Sequence, residues 1–255
     1  MSNQQSWRIH PIVVGSKVFD QGMMTYQHAH GRPYTIPIYV WYLEPVDDPS
    51  QPRVLVDTGE MSPVQSADRE QAIGGKIHTF EEGLALYGLK PEDVDVVIHT
   101  HLHNDHCEND FKCANAVFYA HAKELERIHD PHPLDYRYNE EFIEDVEDAG
   151  KIRTVTGDQE ILPGISVIHT PAHTEGGLTV LVDTPSGRAA ITGFCVIDEN
   201  LNPPQSVKAM EMEVIPPGTN INPCLAYDQM VRVKGLADIL LPLHEPRFAA
   251  MSTIP

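Results

Sequence analysis

His101-Leu102-His103-Asn104-Asp105-His106 is the stretch on which the reading of this chain turns. It places three imidazoles and a carboxylate within six consecutive residues. Bare His and Asp side chains are costly to bury without partners, and a merely solvated loop has no need of this composition. Imidazole nitrogen and carboxylate oxygen are the usual donors to a divalent metal such as zinc. Side chains at 101 and 103 would point one way and those at 105 and 106 another, so two ions can share the loop.

The flanks of the loop are read from hydrophobic periodicity. Residues 94–98 form an apolar run of strand length that delivers the chain directly into the loop. Before it, Phe80, Leu84, Leu86 and Leu89 lie at near-helical spacing, closed by Gly88 and Pro91. Further upstream, Ile36-Pro37-Ile38-Tyr39-Val40-Trp41-Tyr42-Leu43 reads as a buried strand, and Val54-Leu55-Val56 as a second that ends at Asp57-Thr58-Gly59. A strand running into Asp-Thr-Gly gives a tight turn with a carboxylate at its tip. Downstream, residues 120–128 read as a short helix. Residues 130–150 are acidic, with Tyr136, Tyr138 and Phe142 interleaved, placed either to cap a pocket or to pack as a helix face. Strands are expected over 165–170, 178–183, 188–196 and 239–241, and a helix over 225–236.

Three more donor-type residues stand at the ends of expected strands. His173 follows strand 165–170, Cys195 closes 188–194, and His244 follows 239–241. Strand ends meet at one edge of a sheet, so ligands distant in sequence can converge there, and strands hold them more rigidly than free loops. Strands dominate each half of the chain with helices between them. Two sheets covered by helices, an α+β architecture, is the simplest layered solution.

The whole chain sets the bounds. Its 255 residues suit one domain spanning 1–255. Lys plus Arg number 18 and Asp plus Glu 37, for a formal charge of −19; nucleic acid and anionic membrane, which need positive surface, are excluded as partners. The start MSNQQSWRIHP carries neither a basic n-region nor an apolar h-region, and no stretch approaches the ~18 apolar residues of a membrane span. Cys107, Cys113, Cys195 and Cys224 form no CxxC pair and are read as reduced thiols of a cytoplasmic protein.

The combination of Asp57-Thr58-Gly59, the HxHxDH run, His173 before a glycine pair and His244 after the last strand resembles the metallo-β-lactamase superfamily, in the same order and over most of the chain. The resemblance implies a four-layer αββα sandwich with a dinuclear site at one edge. It implies that His101, His103 and His173 hold a first metal, and that Asp105, His106 and His244 hold a second. Residues 36–43 and 54–59 carry a further similarity to N-acyl homoserine lactonases and related lactone hydrolases. One departure stands out. Where most dinuclear members have an Asp bridging the metals after the Gly corresponding to Gly193, this chain has Phe194 and then Cys195. Cys195 is thereby expected as a thiolate ligand of the second metal, suited to zinc. Val196 and Ile197 stand where the lactonases carry a carbonyl-polarising Tyr.

The expected function is a metal-dependent hydrolase of a small ester or lactone, using two Zn2+ per chain, with Mn or Fe able to fill the same donors. Asp105 is expected to orient the attacking hydroxide and pass a proton to the leaving oxygen. Asp57 is expected to fix the tautomer of a ligand imidazole from behind. A thioesterase of the glyoxalase II kind, or a mononuclear iron oxygenase like the sulfur dioxygenases, are the alternatives. The partner is a small-molecule substrate, and a homodimer is an assembly the resemblance allows. His99 is read as a satisfied neighbour of the ligands. His28 and His30 are read as solvated, and His121, His129 and His132 as surface residues.

Overall fold

Residues 39–43 alternate between two apolar cores in the computed structural model, which describes residues 5–46 and 48–254. Tyr39, Trp41 and Leu43 enter one core, while Val40 and Tyr42 enter another. The same parity splits Val54 and Val56 from Leu55, and Val96 and Ile98 from Val97. This is why these segments read as continuous apolar runs: successive side chains of a strand face opposite sides, and here both sides are covered.

Strands β1 (Trp7–Asp20), β2 (Pro33–Pro45), β3 (Val54–Val56), β4 (Val96–Ile98), β5 (Val117–His121) and β6 (Ile152–Val155) form one sheet in that order. Strands β7 (Gln159–Leu162), β8 (Ile165–His169), β9 (Leu178–Thr184), β10 (Gly187–Ile191) and β11 (Ile239–Leu241) form the second, in the order β11-β10-β9-β8-β7. The inner faces of both sheets share one core, in which Trp41, Val56 and Ile98 meet the cluster of Val167, Val180, Ile191 and Leu241. Helices α1 (Ala67–Ile73), α2 (Phe80–Ala85), α3 (Asn104–Cys107), α4 (Ala122–His129) and α5 (Glu144–Asp148) follow strands of the first sheet. Phe80 and Leu84 of α2, Ile128 of α4 and Val146 of α5 join the core on that sheet's outer face. Helices α6 (Asp198–Leu201), α7 (Gln205–Lys208) and α8 (Pro223–Lys234) belong to the second half, and Ala226, Met230 and Val233 of α8 pack over Leu181 and Ala190. The result is helices, sheet, sheet, helices: the expected αββα sandwich.

The register places the chemistry. β3, β4 and β5 run parallel, so Asp57, the 99–106 loop and His121 emerge at one edge. β8 and β10 are each antiparallel to β9, and β10 is parallel to β11. The ends of β8, β10 and β11 therefore leave the second sheet together, carrying His173, Cys195 and His244.

Several boundaries differ from the sequence reading. The strand expected over 188–196 stops at Ile191, so Cys195 lies in a loop beyond it. The cause is Gly193, where a Cβ would stand 2.1 Å from the carbonyl oxygen of Leu178; the chain leaves the ladder by pressing onto that backbone. Residues 117–121 are a strand, and the helix expected from 120 begins at Ala122, capped by His121 Nδ1 accepting from the Lys123 N–H at 3.2 Å. β1, β6, β7 and α1 had no reading. In β1, Pro11 and Gly15 obscure a 14-residue strand that tolerates them at the sheet's edge. No described helix is long and apolar enough to cross a membrane. Residues 1–4 of the chain start lie outside the described residues.

Candidate metal centre

His101, His103 and His173 are all buried, and among the described residues theirs is the group in which three ligand-type donors all lie within 4.8 Å of one another. Their ring centroids are 4.6 Å (101–103), 5.1 Å (101–173) and 4.9 Å (103–173) apart. The tautomers follow from the outer partners. His173 Nδ1 lies 2.8 Å from the Thr219 carbonyl, which only accepts, so Nδ1 carries the proton. His103 Nε2 donates to the Asp135 carboxylate at 3.2 Å. Thr100 Oγ1 donates to Asp57 Oδ2 at 2.8 Å and so accepts from His101 Nδ1 at 3.0 Å. Each imidazole therefore turns an unprotonated nitrogen inward: His101 Nε2, His103 Nδ1 and His173 Nε2. The last two face each other at 3.2 Å with two lone pairs and no proton between them. Opposed lone pairs at that distance repel, and a shared cation is what relieves them; the donor set fits one divalent ion. Burial, then the surrounding imidazoles, holds His101 and His173 well below the usual histidine pKa, so both are neutral and ready to ligate.

Behind this group stands Asp57, fully buried. It adopts φ 60°, a left-handed conformation that Asp tolerates better than most residues, and Gly59 follows at φ 72°. This turn aims the carboxylate back into the next loop. Asp57 accepts from Thr100 N and Thr100 Oγ1, both at 2.8 Å, and from His106 Nδ1 at 2.8 Å. The expected tautomer-fixing role thus falls on His106 directly, and on His101 through Thr100. His99 lies between Asp57 and Asp110, with Nε2 2.8 Å from Asp110 Oδ2; its Nδ1, 3.7 Å from Asp57 Oδ1, makes no hydrogen bond, so the residue read as a satisfied neighbour is satisfied on one nitrogen. Burial opposes its charging, but Asp110 and Asp57 outweigh that and raise its pKa to about 10. His106 Nε2 is buried without a partner. His244 donates Nδ1–H to the Pro37 carbonyl at 3.0 Å, and its ring centroid lies 5.4 Å from that of His106.

The other expected ligands are placed differently. Asp105 Oδ2 lies 3.9 Å from His106 Nε2, but 3.2 Å from Lys17 Nζ. Cys195 Sγ lies 3.9 Å from Met24 Sδ, and burial pushes its thiol up to about 11. Phe194 is fully buried in the core beneath α8. His28 pairs with Glu199 at 3.0 Å, and His30 is exposed near Asp20, neither being drawn into the cluster.

One residue missed by the sequence reading organises the site. Glu124, in the first turn of α4, is buried and accepts from the backbone N–H of Leu102 at 2.9 Å, from that of Gly176 at 3.0 Å and from Tyr138 Oη at 3.0 Å. It ties the loop of His101 and His103 to the loop of His173. Gly176 is required for this, because a Cβ there would meet the Glu124 side chain at 2.7 Å. The only sequence signal was a Glu in an amphipathic helix, where exposure is the norm. Replacing Glu124 with Ala should weaken zinc binding about ten- to a hundredfold, as loss of such supports does. Glu124→Gln should fall between, keeping one acceptor. Zinc titration monitored by a competing chromophoric chelator measures this, and equal affinity in all three proteins would remove Glu124 from the site.

A cleft of about 320 Å3 opens beside the cluster, lined by Lys17, Phe19, Met24, Arg137, Cys195 and Thr219, with Met23, Leu134 and Tyr136 at its rim. Arg137 Nη1 stands 3.5 Å from His173 Nε2 and Arg137 Nε 2.7 Å from Asp135 Oδ1. The aromatic residues of 130–150 divide: Tyr136 is 86% exposed, while Tyr138 is buried with its ring 4.6 Å from that of His103. Volume alone does not mark the site, since a roomier cavity of about 480 Å3 near Gln5, Thr184 and Arg188 collects no imidazoles.

The family model for the metallo-beta-lactamase superfamily matches residues 35–193. A protein described as a probable metallo-hydrolase from Methanocaldococcus jannaschii is 31% identical over 164 residues, 64% of this chain and 63% of its own length; the chain thus spans less than two thirds of that relative. An N-acyl homoserine lactonase from Bacillus cereus is 25% identical over 202 residues, covering 72% of this chain and 74% of its own. A crystal structure of a B. thuringiensis AiiA mutant with N-decanoyl-L-homoserine bound at its active site superposes with a TM-score of 0.69 at 21% identity, over 93% of each chain.

Proposed function

The chain belongs to the metallo-beta-lactamase superfamily, and we propose that it is a metal-dependent hydrolase that opens a small ester or lactone carrying an apolar acyl group. The observation that carries this reading is the convergence of three unprotonated, outwardly anchored imidazole nitrogens, from His101, His103 and His173, beside a cleft with apolar walls. A divalent ion held by these three nitrogens would supply a Lewis acid and a water of lowered pKa.

The chain's own residues do the rest. Phe19 and Met24 hold the acyl group, with Met23 and Leu134 offering apolar contact at the rim. The Arg137 guanidinium, fixed by Asp135, orients the ester carbonyl over the cluster. Asp105 orients the attacking water and passes its proton toward the leaving oxygen. Burial raises the Asp105 carboxyl, but His106 and Lys17 outweigh it and hold the group ionised well below the usual carboxylate range. His106 and His244, with Asp105, are the candidates for a second cation position. Three imidazoles favour hydrolysis over the iron-oxygenase alternative, which uses two His and one carboxylate. A thioester differs only in its leaving atom and belongs in the same assay panel.

Stripping metal with a chelator should abolish hydrolysis of a panel of acyl lactones, aryl esters and thioesters, and added zinc should restore it. Undiminished turnover by the stripped protein, or none on any of the three classes with metal present, would refute the reading.

A further inference from the structure

The resemblance implies a second metal beside the three-histidine group; His106 and His244 offer nitrogens for it, but the rest of its donor set is missing or already engaged. The bridging carboxylate is absent: Phe194 fills its slot and turns into the core with Val214 and Met230. Cys195 packs in a small apolar cluster with Met24, Ile36, Ile38 and Ile197. Asp105 already has a cationic partner in Lys17 Nζ, 3.2 Å from Oδ2.

Lys17 is built into that place. It lies on β1, paired with Ile36 in a hairpin register that continues to Asp20 and Pro33. Its ammonium also lies 3.7 Å from Glu60 Oε1. Glu60 packs over Gly15 to reach it: a Cβ there would stand 2.3 Å from Glu60 Oε2 in this position. Two carboxylates from different loops thus converge on one side chain delivered by a strand. The same side chain lines the cleft with Arg137 and Thr219.

We propose that the Lys17 ammonium is the second cation of this site, so that the protein holds one divalent metal, at His101, His103 and His173, and carries the other positive charge covalently. A metal bonded to Asp105 Oδ2 at about 2.1 Å would lie within roughly 5 Å of Nζ, where like charges oppose each other's presence. Lys17 neutralises Asp105 without a metal and presents N–H donors to a developing oxyanion or leaving oxygen. His106 and His244 remain as walls of the position. This inference rests on the three-histidine reading above.

The test is a zinc titration by calorimetry, with elemental analysis, on the full chain as wild type, Lys17→Arg and Lys17→Met. The Lys17 side chain is a third exposed, so neither substitution opens the core. Wild type and Lys17→Arg should each take up one equivalent. Lys17→Met should take up a second, at least tenfold tighter than any second step in the wild type. Two tight equivalents in the wild type, or a Lys17→Met titration identical to the wild type's, would overturn the inference while leaving the three-histidine centre standing. No zinc in the wild type would overturn both.

Discussion

Replacing His103 with Ala is expected to strip the protein of tightly bound metal and to lower ester or lactone hydrolysis by at least about a thousandfold, about 4 kcal/mol of transition-state stabilisation. His103 contributes more than one donor nitrogen. Its Nδ1 faces His173 Nε2 at 3.2 Å, and its Nε2 anchors Asp135, which in turn holds Arg137 at the cleft. Alanine removes one of the three proposed ligands and releases the guanidinium proposed to orient the substrate. Two imidazoles remain, too few for a tetrahedral site without extra waters. The check is metal per chain by elemental analysis, together with turnover of the best substrate in the panel. A variant that kept both its metal and its full rate would show that the cluster has been misassigned.

The second large effect is on stability. Asp57→Ala should destabilise the fold by about 3–5 kcal/mol, as removal of one partner of a buried charged network does. That is a large fraction of the ~5–15 kcal/mol by which a typical protein is stable. The carboxylate accepts three hydrogen bonds, from Thr100 N, Thr100 Oγ1 and His106 Nδ1, and no water can replace it at zero exposure. Burial alone would raise the Asp57 carboxyl, but His106 and His99 reverse that and leave it below the ordinary carboxylate value. A carboxylate with a depressed folded-state pKa contributes stability above its unfolded value of ~3.9 and loses it as pH falls through the folded one. The deficit of Asp57→Ala should therefore be full at neutral pH and shrink below about pH 4. Urea midpoints at pH 7 and pH 3.5 would reveal this, and a deficit independent of pH would mean that the lost interaction is packing rather than charge.

The candidate ligands were legible because side chains of their chemistry are not used to fill a core. Three His and an Asp in six residues have no role among apolar neighbours, and the strand at 96–98 that delivers them reads directly from its three apolar residues. His173 and His244 were legible from their place after strands, which the parallel and antiparallel ladders bring to one edge. Cys195 was harder. Its segment looked like a strand because Ala189 to Ile191 and Phe194 to Val196 are apolar, but Gly193 turns the chain off the ladder against Leu178, and that close approach has no signature beyond a single glycine.

By itself, the sequence determined two sheets covered by helices and the donor-type residues at their ends, because periodicity and donor chemistry are local properties of the chain; the four-layer αββα order and the grouping of His101, His103 and His173 came from the family resemblance. The tertiary structure decided which nitrogens face inward, since each tautomer is fixed by a partner 1 to 46 residues away: Thr100, Asp135 or Thr219. It also decided that Glu124 binds two ligand loops together and that Lys17, 88 residues from Asp105, is its cation. A carboxylate on a helix and a lysine on an edge strand look solvated in sequence. Only the fold shows that the carboxylate is buried against backbone donors and that the half-buried lysine meets opposite charge.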